Sequence, residues 1–136
     1  MKYKFLEHTA DVKFQAFGKS LEQAFSNAAM ALKEVMAGKI KIKAKITKKI
    51  KIKGKDNESL LYNFLEEFLF LLDSQGFILS KIKKIEIKEN KLTAEVLGDK
   101  ASLYKFNNDV KAVTYNQMYV KKDKNKYIVQ VVLDVW

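Results

Sequence analysis

Between Lys39 and Lys53 the chain reads KIKIKAKITKKIKIK. Ile40, Ile42, Ala44, Ile46, Ile50 and Ile52 fall on even positions, and Lys39, Lys41, Lys43, Lys45, Lys49, Lys51 and Lys53 on odd ones. A period of two is the side-chain repeat of a β-strand, not of a helix. It requires a sheet with one face buried and the other in water, which excludes an all-helical fold. The interruption at Thr47–Lys49 reads as a bend or as a hairpin. The lysine stripe has two readings. It can line up with the phosphates of RNA, or it can be a solvated face that discourages edge-to-edge pairing. The second is preferred.

Two other stretches carry helical spacing. Ser20 is an N-cap with Gln23 three residues on as a capping box, and Leu21, Ala24, Phe25, Ala28, Leu32, Val35 and Met36 follow on one face until Gly38. The second stretch, DNESLLYNFLEEFLFLLDSQG, is capped by Asp56 or Asn57 and ended by Gly76. Its apolar positions (Leu60, Leu61, Phe64, Leu65, Phe68, Leu69, Leu71, Leu72) exceed one stripe, so this helix is covered on most sides. Glu66 and Glu67 interrupt it as exposed residues.

The remainder reads as strands. Residues 2–7 and 12–17 flank the segment HTAD. KIKKIEIKEN and KLTAEVLGD form a hairpin turning at Glu89–Lys91, and KAVTYNQMYVKKD and NKYIVQVVLDVW form another turning near Asp123–Lys126. The class is therefore α+β, with two helices packed on a mostly antiparallel sheet in a single domain, residues 1–136.

Composition narrows the function. The 136 residues are 48% apolar, enough for a core and too apolar for disorder. Cysteine is absent, which excludes disulfides, zinc fingers and thiol catalysis. No apolar run reaches membrane-spanning length, and no signal peptide is evident at the start; a cytoplasmic location is the expectation. All 26 basic residues are lysine, and the net charge is +10. Such charge suits an anionic partner. Nucleic-acid readers nevertheless favour arginine for bidentate contacts, so a compositional bias toward lysine is the preferred account.

In the last strand Tyr127, Val129, Val131, Leu133 and Val135 share one face, and Ile128, Gln130, Val132, Asp134 and Trp136 the other. Both faces are largely apolar, as in a central strand. Asp134 at its end needs a lysine, backbone donors or a cation beside it, unless the end is frayed and solvated. Asp11 in HTAD reads as a turn cap. If the first and last strands are neighbours, the two aspartates instead meet, and their oxygens suit Ca²⁺ or Mg²⁺. With one histidine, His8, a two-histidine metal motif is ruled out. No nucleophile elbow, phosphate-binding glycine loop or dinucleotide fingerprint is present, and the chain reads as no enzyme.

Taken together, FLEHTADVKFQAFGKSLEQAFSNAAMALKEVM, SLLYNFLEEFLFLLDSQGF, VKAVTYNQMYV and the final VVLDV resemble the archease family, in order and over nearly the whole chain. The resemblance implies an archease-like two-layer sandwich. It also implies a protein cofactor that activates RtcB-type RNA ligases in tRNA splicing, promoting their guanylylation and multiple turnover. By that resemblance Asp11 and Asp134 hold a divalent cation (Ca²⁺, or Mg²⁺ or Mn²⁺), with a backbone carbonyl of Val135 or Trp136 completing the site. Lys111 in KAVT matches a lysine implicated in ligase activation. His8 supports the shape of the turn, and Glu67 matches an acidic helix position without an assigned role. Asn116 stands where many members have histidine. The implied partner is the ligase, with indirect contact to tRNA and none to membrane.

Two rival functions remain. A lysine-rich RNA-binding module or chaperone, working through residues 39–53, would lose RNA steeply with salt. A metal-dependent hydrolase would turn over without any partner.

Overall fold

The computed structural model describes residues 1–7 and 11–136; His8 lies outside them. Among the described residues there are seven strands and two long helices: β1 (Tyr3–Leu6), β2 (Val12–Gly18), α1 (Leu21–Ala37), β3 (Ile46–Lys53), α2 (Asn57–Gln75), β4 (Phe77–Lys88), β5 (Lys91–Lys100), β6 (Val110–Asp123) and β7 (Lys126–Val135). A short 3₁₀ turn, Ala101–Leu103, joins β5 to the segment before β6. The α+β class holds. The strands divide between two antiparallel sheets, ordered β1-β2-β7-β6 and β3-β5-β4. Both helices pack against both sheets.

The helix ends follow their local chemistry. The Ser20 hydroxyl accepts from the Gln23 N–H at 3.1 Å, while the Gln23 side chain accepts from the Lys19 N–H at 2.6 Å. Asp56 caps α2 by accepting from the Ser59 N–H at 2.7 Å, and the Ser59 hydroxyl accepts in return from the Asp56 N–H. Gly76 closes α2 in the left-handed conformation, φ 61°, which glycine adopts at little cost. Buried faces of α1 (Phe25, Leu32) and α2 (Leu60, Phe64, Leu65) join inward residues of both sheets in one core. Phe64 stacks on Phe25 and meets Phe68 edge-on. Phe70 is half exposed, so α2 is covered on most but not all sides. Glu66 and Glu67, expected in solvent, are partly buried, and Glu66 accepts from the Tyr62 hydroxyl.

The lysine–isoleucine repeat is realised in two parts. Residues 46–53 form an edge strand paired with β5 in unbroken register, so Thr47–Lys49 is neither bend nor hairpin. Lys48 occupies the inward face, and its ammonium escapes to Gln75 Oε1 at 2.9 Å, as long lysine stems allow. Residues 41–45 belong to no strand or helix. The Tyr104 hydroxyl accepts from the Lys43 N–H, the Ser80 hydroxyl donates to the Ile42 carbonyl, and the Lys45 N–H donates to the Gly98 carbonyl. The β4–β5 hairpin turns through Glu89 and Asn90, both with positive φ (52° and 60°), the primed two-residue turn whose twist suits paired strands. Among the described residues no helix is long and apolar enough to cross a membrane.

Two consequences are measurable. A Cβ at Gly98 would collide with the Ile78 carbonyl oxygen and the Phe77 ring; the carbonyl belongs to a ladder and cannot yield. Gly98→Ala should lower the unfolding free energy by about 1–3 kcal/mol in urea titration. Asp99 is 4% exposed. The Tyr104 hydroxyl (2.7 Å), then the Lys100 N–H (2.8 Å), hold its carboxyl below the usual aspartate value. A lowered folded-state value stabilises the fold above the unfolded value of about 3.9, and that stabilisation fades as pH falls through the folded value. Thermal melts should show Asp99→Asn less stable than wild type at pH 7, with the gap narrowing below about pH 4.

Candidate functional site

β2 and β7 pair antiparallel from Gly18↔Tyr127 to Val12↔Leu133. Val12↔Leu133 is the last pair of this ladder; Asp11 and Asp134 are the next residues on the two chains, and Asp11 lies in a bend just outside β2. The neighbour of the last strand is β2 and not the first strand, β1, so it is the start of β2 that brings Asp11 to the end of β7 that carries Asp134. β7 is an interior strand, flanked by β2 and β6. Val129, Val131 and Leu133 enter the core, and Asp134 follows on the opposite face, partly buried.

The end of β7 is not frayed. Val135 pairs with Val110, and the Trp136 N–H donates to the Asp109 carbonyl at 3.0 Å. The register of β6 shifts between Val110 and Ala112, so Lys111 stands in a bulge beside the Ala112↔Asp134 pair. Bulges of this kind re-aim a side chain at a sheet end. The exposed Lys111 carries its ammonium 4.9 Å from the centre of the Trp136 ring, a cation–π contact. One sheet end therefore gathers Asp11, Asp134, the Val135 backbone and Lys111. Among the described residues no three histidine, aspartate or glutamate side chains converge as a metal cluster. Two carboxylates with backbone carbonyls form an all-oxygen donor set, which suits a hard cation such as Ca²⁺. Glu67 lies on α2, partly buried.

Sequence reading passed over two features. From Thr114↔Val132 to Tyr119↔Gln130, β6 advances five residues while β7 advances two. The excess, with Gln117 at φ 56°, is pinned by glutamines. Buried Gln130 donates to the Gln117 carbonyl at 2.9 Å and accepts from Gln15 at 3.0 Å; Gln15 also donates to the Tyr119 hydroxyl at 2.7 Å. A glutamine within an apolar strand was the available signal. Asn116 is exposed in this bulge. The second feature is Asp99, whose bonds to Tyr104 and Lys100 anchor the end of β5.

The family model described as the archease protein family matches residues 3–135. A protein archease from Methanosarcina barkeri is 38% identical over 140 residues, covering 98% of this chain and 96% of the relative. One from Sulfurisphaera tokodaii is 39% identical, covering 98% and 99%. The solution structure of Methanobacterium thermoautotrophicum protein 1598 superposes with a TM-score of 0.83 at 35% identity, covering 98% of each chain. A Thermotoga maritima archease, described as a possible chaperone, shares the fold at a TM-score of 0.69 and 22% identity, covering 97% of this chain and 96% of its own. The chain belongs to the archease family.

Proposed function

We propose that this archease is a non-catalytic, cation-binding protein cofactor that activates an RtcB-type RNA ligase in tRNA splicing. It promotes guanylylation of the ligase and so its repeated turnover. The observation that supports this reading is the β2–β7 pairing, which brings Asp11 and Asp134 to the same sheet end as the bulged Lys111. The residues that would hold the cation are Asp11, Asp134 and the Val135 carbonyl. A bound Ca²⁺, Mg²⁺ or Mn²⁺ would supply a positive centre for phosphate oxygens.

The chain's own residues give this end its shape. The backbone of Asp134 is held by its pairing with Ala112 on β6, which steadies the residue before any ligand arrives. Lys111 brings an ammonium to the same sheet end, over the Trp136 ring. Acid and base side by side suit docking against a nucleotide pocket, where phosphates and their metal present both signs of charge.

Two measurements test the reading. In multiple-turnover ligation with the RtcB-type ligase of the same organism, GTP and divalent metal, a substoichiometric amount of this protein should raise product from about one turnover per ligase to many. Single Asp134→Ala and Lys111→Ala variants, folded by circular dichroism, should each lose most of that gain; full stimulation by both would refute the assignment. In thermal or urea unfolding, Ca²⁺ at about 100 times its Kd should add about 2.7 kcal/mol to wild-type stability. Asp11→Asn and Asp134→Asn should show little of this gain.

A further inference from the structure

The opposite end of the β1-β2-β7-β6 sheet carries a different chemistry. Between the start of β1, the β2–α1 turn and the β6–β7 turn lies a cleft of about 870 Å³. Lys2, Lys4, Lys19, Lys124 and Lys126 line it, against one carboxylate, Asp123. A shallower hollow continues from it past Lys19 and Asn125 to Lys122 and Tyr127. Among the described residues none of these six lysines has an ion-pair partner. Glu22, on the wall of the hollow, is turned to the Ile87 N–H of β4.

Two aromatic faces sit among these charges. The Lys4 and Lys126 ammonium groups lie 5.8 and 5.5 Å from the centre of the Phe17 ring, and Lys122 lies 5.6 Å from that of Tyr127. Lysines that track a backbone, with rings on which bases stack, are the elements of single-strand nucleic-acid binding. A phosphate drawing an ammonium off its ring would leave that ring face to a base.

The lysine-striped sheet β3-β5-β4 differs in shape and charge, although Lys48 lies 6.0 Å from the centre of the Phe77 ring there. Its groove holds about 160 Å³, and Lys49, Lys51 and Lys84 are interleaved there with Glu86 and Glu95. Lys83 faces Glu95 at 4.0 Å. Glu86 and Glu95 offset part of the lysine charge on that face and leave it a weaker, flatter attractor of a polyanion. What distinguishes the cleft is concavity and a concentration of lysines against a single carboxylate, not lysine content.

We infer that the cleft around Phe17, between β1, the β2–α1 turn and the β6–β7 turn, binds the sugar–phosphate backbone of single-stranded nucleic acid. It is a site separate from the carboxylate end. The six residue steps from Val12 to Gly18 along β2 put the two ends about 20 Å apart, so one molecule can engage both ligands at once.

The test is fluorescence anisotropy with a labelled oligouridine of about 12 nucleotides, titrated with the full chain across a salt series. Lys4→Gln with Lys126→Gln should weaken binding about tenfold at low salt and flatten the log–log salt slope by about 0.7 for each phosphate no longer neutralised. Lys49→Gln with Lys51→Gln should change neither. Phe17→Leu should weaken the oligonucleotide and leave inorganic tripolyphosphate unaffected. Equal losses in both lysine pairs, an unchanged slope, or tripolyphosphate binding as tightly as the oligonucleotide would overturn the proposal. Ligase stimulation is not the readout, so failure here is distinguishable from failure of the cofactor reading.

Discussion

The pairing of β2 with β7 is the constraint on which the rest depends. It joins residues more than a hundred positions apart, as in the hydrogen bond between Gln15 and Gln130. The entropy cost of closing so long a loop rises only logarithmically with length, and the inward valines of β7 return apolar burial along the whole seam. Once β7 is interior, β6 has an edge to pair with and α1 a surface to lie on. The same seam brings Asp11 and Asp134 to one sheet end. Fold and candidate site rest on one register, and a one-residue slip of β7 would turn Asp134 to the other face.

Local structure was legible wherever local chemistry decides it. Ser20 and Asp56 open the helices through their side chains, Gly38 and Gly76 close them through positive φ, and both hairpins turn where alternation lapses. The division into two sheets was not legible, because alternation tells which residues are buried but not against which partner. Lys48 broke a pattern without breaking a strand, since a long stem lets an ammonium leave an apolar face. The site was half legible. Asp134 stood out as a carboxylate on an apolar strand. The bulge that carries Lys111 and the fold-over at Gln117 arise from register differences between strands, which no single stretch of sequence records. Asp99 escaped notice because its partner Tyr104 meets it only after the chain turns through Ala101–Leu103.

The lysine excess acquires a spatial meaning in the fold. On the β3-β5-β4 sheet it is offset in part by Glu86 and Glu95 and covers an edge strand, where ammonium groups oppose pairing with another chain. Around Phe17 it is concentrated against a single carboxylate, Asp123. At the Asp11–Asp134 end the carboxylates are set beside a single bulged lysine. A net charge spread evenly by composition is thus sorted by topology into regions of different character.

Residues 41–45 run beside the second sheet, yet two of their backbone bonds go to hydroxyls, those of Tyr104 and Ser80, rather than to a neighbouring strand. A ladder couples each residue to the next, so opening it at one point loosens several. Bonds to separate side chains break one at a time. The length of this connection between α1 and β3 is accordingly set by a few separate bonds and not by a strand register, so a change in it would leave the core on either side in place.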